Sequence, residues 1–218
     1  MNGSRSGKLN RDLRREAQYR IVVTVLEILH EAWPETAADS RVTRTSHEDA
    51  ISNVLRWNMA AAKECRKPVP ALHFERESQS DDPMLATKTG LIDIKVLYTW
   101  NDETYLTMEC KRVSSKGNSL ALAYVRQGIN RFVTCKYSPG HAFGIMVGYS
   151  ICGNLAGCAS RVCKTLAKES ATVTGFDVTV GWKVDSAIIQ GTTHYRTSHR
   201  QDAVRNQIEL LHVLLPLN

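Results

Sequence analysis

Apolar residues recur at helical spacing in two stretches near the start of the chain. Residues 10–32 carry one apolar stripe, formed by Val22, Val25, Leu26 and Leu29. This spacing predicts a helix, which we expect to stop before Pro34 because proline disrupts a helix interior. Residues 46–65 repeat the pattern and predict a second helix with one apolar side.

The rest of the chain alternates between strand-like and helix-like patterns. Strands are predicted at residues 72–78, 90–100, 103–113, 142–151, 184–189 and 208–215. Helices are predicted at residues 119–136 and 154–170, and a polar loop at 196–206. Asn101-Asp102 is a good turn between the second and third strands, so these two should form a hairpin. The pattern predicts an α/β protein with a central mixed β-sheet flanked by helices on both sides.

The size and charge of the chain fit one soluble globular domain with a preference for acidic partners. It has 218 residues, of which 43% are apolar and 23% charged, so we expect a single domain over 1–218. The formal net charge of +6 permits nucleic acid as a partner without demanding it. The basic residues of 1–18 suggest an N-terminal arm, which either contacts phosphate or is simply solvated.

Targeting and cysteine signals favour a cytoplasmic protein. We expect no secretory signal and no membrane-spanning segment, since no apolar run has the required length. The six cysteines include no C-x-x-C pair and no zinc-like spacing, and we interpret them as buried, reduced thiols. Cys158 and Cys163 are near each other on a predicted helix, but helical neighbours do not bridge easily.

Charged residues interrupt the two apolar strands of the hairpin. Side chains alternate across a strand, so Ile92, Ile94 and Val96 share one face while Asp93 lies on the other. By the same rule Glu109 and Lys111 lie opposite the apolar face of the next strand. With the turn near Asn101, Asp93 and Glu109 fall opposite each other to within one residue. Two facing carboxylates repel unless a cation or a proton lies between them, and Mg²⁺ prefers such oxygen ligands. A solvated face with a Lys–Glu pair is the alternative.

This arrangement resembles the PD-(D/E)xK nuclease superfamily, which has a restriction-endonuclease-like fold. The matching residues are Gly90-Leu91-Ile92-Asp93, followed after about fifteen residues by Glu109-Cys110-Lys111. The resemblance covers residues 45–150, and Ile92 stands where the family nominally has proline. It implies that Asp93 and Glu109 bind Mg²⁺, for which Mn²⁺ can substitute, and that Lys111 positions the attacking water.

The resemblance also implies further site residues. An acidic residue from the preceding helix fits Glu48, although Glu48 can instead belong to a capping box with Thr45, and Ser46 with Asp49 is an equivalent alternative. The helix after the hairpin should pack beside the site, where Gln127 is a candidate for contact with water or phosphate. Either this glutamine has that role or it is merely exposed. Arg131 on the same flank is a candidate contact to nucleic acid.

Near the end of the chain, the run Thr197-Ser198-His199-Arg200 contains good phosphate donors. His199 and Arg200 are therefore candidate nucleic-acid contacts, with a solvated loop as the alternative.

We therefore expect metal-dependent hydrolysis of phosphodiester bonds, with DNA cleaved internally, as in restriction, anti-phage defence or repair. A non-catalytic nucleic-acid-binding subunit of the same fold, an RNA-directed nuclease and a protein-interaction domain are the alternatives. Each of the hypotheses that involve nucleic acid is compatible with a homodimer or with a partner subunit such as a helicase.

Overall fold

The computed structural model of the chain describes residues 3–78, 92–98, 105–137, 141–169, 174–186, 188–189, 192–201 and 206–217. Its helices are α1 (Gly3–Ala38), α2 (Glu48–Cys65), α3 (Ser119–Ala123), α4 (Asn130–Val133) and α5 (Leu155–Lys168). A π-helical segment, Tyr124–Ile129, joins α3 to α4, so these three pieces form one continuous helix. The predicted hairpin turn at Asn101-Asp102 lies outside the described residues.

Seven strands form one mixed, open sheet. They are β1 (His73–Ser78), β2 (Ile92–Leu97), β3 (Tyr105–Val113), β4 (Phe143–Ser150), β5 (Lys183–Asp185), β6 (His194–Arg200) and β7 (Gln207–Pro216). Their order across the sheet is β1-β2-β3-β4-β7-β6-β5. Strand β4 runs parallel to β3 and β7, and the other pairs are antiparallel. The predicted mixed α/β class is therefore confirmed.

Helices cover both faces of this sheet, as predicted. One apolar cluster packs α1 and α2 against the face that includes Leu106, Met108 and Cys110 of β3. A second cluster packs the α3–α4 helix and α5 against the opposite face, which includes Tyr105 and Val113. Because side chains alternate along β3, this strand contributes residues to both clusters. Within the described ranges, no helix combines the length and apolar character needed to cross a membrane.

Helix α1 is longer at both ends than the sequence predicts. It continues through Pro34 to Ala38, although proline in a helix costs about 3 kcal/mol. Burial of Ala32 and Trp33, directly before the proline, offsets this cost, because both side chains pack in the core. At the other end, the segment expected as a free basic arm is helical from Gly3, and Arg15 forms an ion pair with Glu209 of β7.

The prediction of a loop over residues 196–206 is wrong, because β6 occupies the first half of this range. Strand β6 pairs with β7 through partners such as Ser198↔Glu209. Its polar composition resembles a loop, but Thr197 and His199 are fully buried. They are buried without penalty only if their polar atoms are hydrogen-bonded.

A chain of hydrogen bonds satisfies these atoms, and one consistent arrangement of protons has both rings neutral. The carbonyl of Thr174 can only accept, so His199 Nδ1 donates to it at 2.7 Å and His199 Nε2 is left as an acceptor. Thr197 Oγ1 then donates to His199 Nε2 at 2.7 Å and accepts from His212 Nε2 at 2.8 Å. The Tyr124 hydroxyl completes the chain, 3.0 Å from His212 Nδ1 and 3.4 Å from the Met146 carbonyl. This pattern suits two neutral imidazoles, and burial lowers the pKa of both His199 and His212.

The thiols differ from the expectation of six buried cysteines. All six are free, but burial is found at Cys110 and Cys158 alone among them. Cys65 is exposed, and the remaining three are partly exposed.

The buried histidine chain predicts a loss of stability in acid. Burial lowers the pKa of His199 to about 4, so between pH 6.5 and 4 the unfolded chain binds more protons than the folded chain. Stability is therefore fully present above pH 6.5 and falls as the pH decreases. At pH 5 the buried His199 should make the unfolding free energy about 2 kcal/mol lower than at neutral pH. His199→Gln should remove this part of the pH dependence. Denaturant unfolding of both proteins at pH 7.5 and pH 5 measures the difference.

The exposed residue His73 supplies the control for this experiment. His73→Gln should keep the full wild-type loss between the two pH values. Equal pH dependence in wild type and His199→Gln would contradict the neutral hydrogen-bond chain.

A second prediction concerns Gly144 of β4, on which the α4 segment rests. A Cβ atom here would lie 2.7 Å from Phe132 Cδ1 and 2.9 Å from Leu210 Cδ2. Because Phe132 is a rigid ring in a closed core, Gly144→Ala should lower the unfolding free energy by about 1–3 kcal/mol in a denaturant titration. Gly128→Ala is the comparison: its Cβ meets the flexible end of Met146, so it should cost less. Equal stability of Gly144→Ala and wild type would contradict this packing.

Candidate active site

The charged residues of β2 and β3 meet, although β2 departs from the predicted alternation: Ile92 packs in the second cluster and Ile94 in the first. The ladder between the two strands ends at Ile94↔Met108, and Asp93 and Glu109 are the next residues of each strand. Glu109 and Lys111 share the strand face of Tyr105 and Val113, so they lie under the α3–α4 helix. The predicted register is confirmed, and the face that carries these charges is buried rather than solvated.

Asp93 is held by the backbone of the neighbouring strand. The β2–β3 ladder ends at Ile94↔Met108, and Asp93 Oδ2 accepts a hydrogen bond from the free N–H of Cys110 at 2.7 Å. The carboxylate therefore replaces the next backbone acceptor of the ladder. Burial raises the pKa of Asp93, while Lys111 and the hydrogen bond from Cys110 act in the opposite direction.

Glu109 is the most buried member of the cluster, with a fully inaccessible side chain. Its Oε1 lies 2.7 Å from Lys111 Nζ and accepts a hydrogen bond from Arg131 Nη1 at 2.8 Å. Burial and the nearby charge of Asp93 raise the pKa of Glu109 to about 8, despite the two cations. Its Oε2 is buried and accepts no hydrogen bond from any described residue. Such an orphaned acceptor is costly unless a further cation or proton binds to it.

Lys111 occupies the centre of the cluster. Its Nζ lies 2.7 Å from Glu109 Oε1, 2.8 Å from Glu48 Oε1 and 3.7 Å from Asp93 Oδ2, and it also donates to the Cys110 carbonyl. Burial alone would lower the pKa of Lys111, but the charges of Glu109 and Asp93 outweigh it and the net shift is upward. The lysine is therefore permanently charged.

Glu48 joins the cluster as the first residue of α2. Its Oε1 accepts from Lys111, and its Oε2 accepts from the backbone N–H of Arg112 at 3.3 Å. Both capping-box alternatives are wrong: the residue that caps α2 is His47, which makes no side-chain cap hydrogen bond. The hydroxyl of Ser46 instead donates to the carbonyl of Arg41. Pairing with a buried lysine outcompetes a local backbone bond here, because a charge-assisted hydrogen bond is the stronger one.

The α3–α4 helix contributes Arg131 to the cluster but not Gln127. Arg131 donates to Glu109 and, at 2.5 Å, to the hydroxyl of Tyr137. This arginine, expected to contact nucleic acid, thus has its partners inside the cluster. Gln127 is exposed, and no described residue of the cluster hydrogen-bonds to it. Its neighbour Gly128 faces the sheet instead, where an added Cβ would lie 2.5 Å from Met146 Cε and in ordinary contact with Lys111.

His199 and Arg200 lie far from these carboxylates. They belong to β6, which is three strands away from β3, or about 14 Å. The prediction that His199 contacts nucleic acid is wrong, because its imidazole is fully buried and both nitrogens are hydrogen-bonded. Arg200 is exposed at the end of the strand and remains available to solvent.

One member of the cluster, Tyr137, was not predicted from the sequence. Tyr137 lies beyond the helix and its hydroxyl reaches the cluster through Arg131. The charge of Glu109 contributes to the raised pKa of Tyr137, after burial. No motif or spacing marks this tyrosine. Arg131, by contrast, was predicted on the helix flank beside the site. The sequence signal for its role is a charged residue that faces a buried sheet.

The donor set suits a hard divalent cation such as Mg²⁺. With all three carboxyl groups ionised, Asp93, Glu109 and Glu48 oppose two cations, Lys111 and Arg131, and the cluster carries one formal negative charge. Glu109 Oε2 supplies a buried acceptor without a partner. The described residues contain no ready-made group of three acidic, histidine or cysteine ligands. The residues therefore fit a site of two carboxylates, completed by water or substrate, as Mg²⁺ commonly uses.

Comparison of the chain with protein-family models, with curated protein sequences and with solved structures finds no match.

Proposed function

We propose that the chain is a metal-dependent nuclease that hydrolyses phosphodiester bonds and cleaves DNA internally. The observation that supports this most is the convergence of Asp93 and Glu109 on opposed positions of β2 and β3, with the Lys111 ammonium between them. Burying these charges costs free energy, which favours a functional explanation of the arrangement over a structural one.

In this proposal Asp93 and Glu109 hold Mg²⁺ or Mn²⁺, and Glu48 is close enough to complete the set. When bound, the ion polarises the scissile phosphate and lowers the pKa of a coordinated water. The hydrogen bond from Cys110 N–H fixes Asp93 Oδ2, which leaves Oδ1 as the oxygen for the ion. The contact with Arg131 fixes Glu109 Oε1 and leaves Oε2 for the same purpose.

Lys111 has two roles in this proposal. Without a bound ion, its ammonium balances the carboxylates and keeps them together. Three rotatable N–H donors on a flexible stem also allow it to turn from Glu109 towards a water or a phosphate oxygen. There it would hold the nucleophile and offset negative charge in the transition state.

The surroundings of the cluster fit a polyanionic substrate. Arg112 follows Lys111 on β3, and its guanidinium donates to the backbone carbonyl of Arg44. Arg44 is an exposed residue. Two arginines thus lie on the α2 side of the carboxylates, in a chain with a formal net charge of +6. Guanidinium groups bind phosphate oxygens in a bidentate manner. This favours a nucleic-acid backbone over a small neutral substrate.

One observation favours a second candidate, a non-catalytic nucleic-acid-binding subunit. Lys111 already contacts Glu48 and Glu109 at hydrogen-bonding distance, so the carboxylates are largely neutralised without metal. A protein that retains the fold without catalysis would have this arrangement permanently. Such a protein binds DNA without cutting it at any Mg²⁺ concentration.

Cleavage of supercoiled plasmid tests the proposed function. Wild-type protein should convert the plasmid to nicked and linear forms when Mg²⁺ is added, and EDTA should stop the reaction. Asp93→Asn, Glu109→Gln and Lys111→Met should each lower the cleavage rate by at least about 10²-fold, because each removes a charge that the reaction uses. Gel analysis of initial rates gives the comparison, and a single-stranded RNA of matched length shows whether RNA is preferred.

Glu169→Gln is the matched control for these variants, because Glu169 forms an exposed ion pair with Arg126 away from the cluster. It should cleave at the wild-type rate. Thermal unfolding confirms that each variant is folded. Binding of DNA without any Mg²⁺-dependent cleavage by folded wild-type protein would reject the nuclease and support the binding subunit.

Binding of the ion alone should also be measurable, without a nucleic acid. Mg²⁺ that binds the folded chain raises its stability, by about 2.7 kcal/mol at a concentration of 100 times Kd. The wild-type melting temperature should therefore rise with Mg²⁺ concentration, whereas that of Asp93→Asn should not. Scanning calorimetry with a Mg²⁺ titration measures both. An equal rise in the two proteins would place the ion elsewhere.

A further inference from the structure

Two thiols meet where β4 ends and α5 begins, on a part of the chain that the proposed function does not use. Cys152 follows β4 in a turn completed by Gly153, whose φ is +68°. Cys158 lies in the first turns of α5, which Asn154 caps by accepting a hydrogen bond from Gly157 N–H. The turn brings the two sulfur atoms within 3.5 Å of each other.

Cys152 has the surroundings of a reactive thiol. It is partly exposed, and its Sγ lies 3.4 Å from both the N–H and the hydroxyl oxygen of Ser115. Burial alone would raise the pKa of Cys152, but the hydrogen bonds from Ser115 and from the backbone at Asn154 lower it to about 6. The thiolate is the nucleophilic form of cysteine, and the lowered pKa favours this form at neutral pH.

Cys158 has the opposite character. Its side chain is fully buried, next to the hydroxyl of Ser150 at 3.3 Å, and burial raises its pKa to about 11. It is protected from external reagents but touches Cys152. An accessible thiol beside a sheltered second thiol is the arrangement of a peroxide-reacting cysteine and its resolving partner.

We propose that Cys152 and Cys158 form a peroxide-responsive pair that closes into an intramolecular disulfide. The Cys152 thiolate attacks hydrogen peroxide, the O–O bond breaks, and the products are a Cys152 sulfenic acid and hydroxide. The Cys158 thiol then attacks the Cys152 sulfur, releasing water and forming the S–S bond. Peroxide is the oxidant, and the two thiols together lose two electrons and two protons.

The geometry makes this closure a local event. A disulfide needs a sulfur–sulfur distance near 2.05 Å, so the two atoms must approach by about 1.5 Å. Rotation of the partly exposed Cys152 side chain can supply that movement. Closure also converts the acceptor of the Ser115 hydrogen bonds from a thiolate into a neutral disulfide sulfur. Ser115 belongs to the connection between β3 and α3, which Arg161 of α5 also holds through the Ser115 carbonyl.

Peptide mapping after peroxide treatment tests the pair. Reduced wild-type protein, treated with hydrogen peroxide and then alkylated, should lose two of its six free thiols and yield one cross-linked peptide joining Cys152 to Cys158. Cys158→Ser should instead trap a sulfenic acid at Cys152, detected as a dimedone adduct. Cys152→Ser should keep its remaining five thiols free under the same conditions.

Cys163→Ser is the matched control, since Cys163 lies on the same helix and is partly exposed. It should form the Cys152–Cys158 bridge as wild type does. Circular dichroism before oxidation establishes that each protein is folded. Folded wild-type protein that retains six free thiols, or that is oxidised first at Cys65, would overturn the proposal whatever its nuclease activity.

Discussion

The contact of one buried ammonium with three carboxylates is the interaction on which the rest of the structure depends. Lys111 Nζ binds Glu109 and Glu48 directly and lies 3.7 Å from Asp93. Removal of one partner from a buried ion pair typically costs 3–5 kcal/mol, since the remaining charge is left without compensation. Strand β2, strand β3, the start of α2 and the α3–α4 helix each supply a member of this cluster. Their relative positions are therefore fixed by charge as well as by apolar packing.

The apolar cores bring these charges together, and small residues allow it. Gly144 lets Phe132 of α4 rest against β4 at a distance that a side chain would prevent, and Gly128 leaves room for the end of Met146 under the same helix. The helix is π-helical at Gly128, next to Lys111, and such segments often accompany functional sites because they redirect side chains. Arg131 follows this segment and reaches Glu109. The packing thus places a second cation, Arg131, beside Glu109, the most buried carboxylate.

The hairpin register was enough to predict the central part of the site. Asp93 and Glu109 were expected opposite each other on paired strands, and the Ile94↔Met108 register agrees with this. The role of Glu48 stayed open because capping and ion pairing require the same residue type at the same position. The sequence could not reveal His199 as a buried residue, since β6 is polar and its burial depends on hydrogen bonds to β7 and to Thr174. Cys152 and Cys158 meet through a turn, which neither helical nor strand spacing describes.

The central claim is that the carboxylates converge in order to bind a divalent ion, for which Lys111 substitutes when none is bound. A crystal structure with Mn²⁺ and its anomalous difference map tests this most directly. We expect an anomalous peak in contact with Asp93 and Glu109, with Lys111 Nζ turned away from Glu109 Oε1. A map without a peak at these carboxylates, in which Lys111 still binds Glu109 and Glu48 at saturating Mn²⁺, would contradict it.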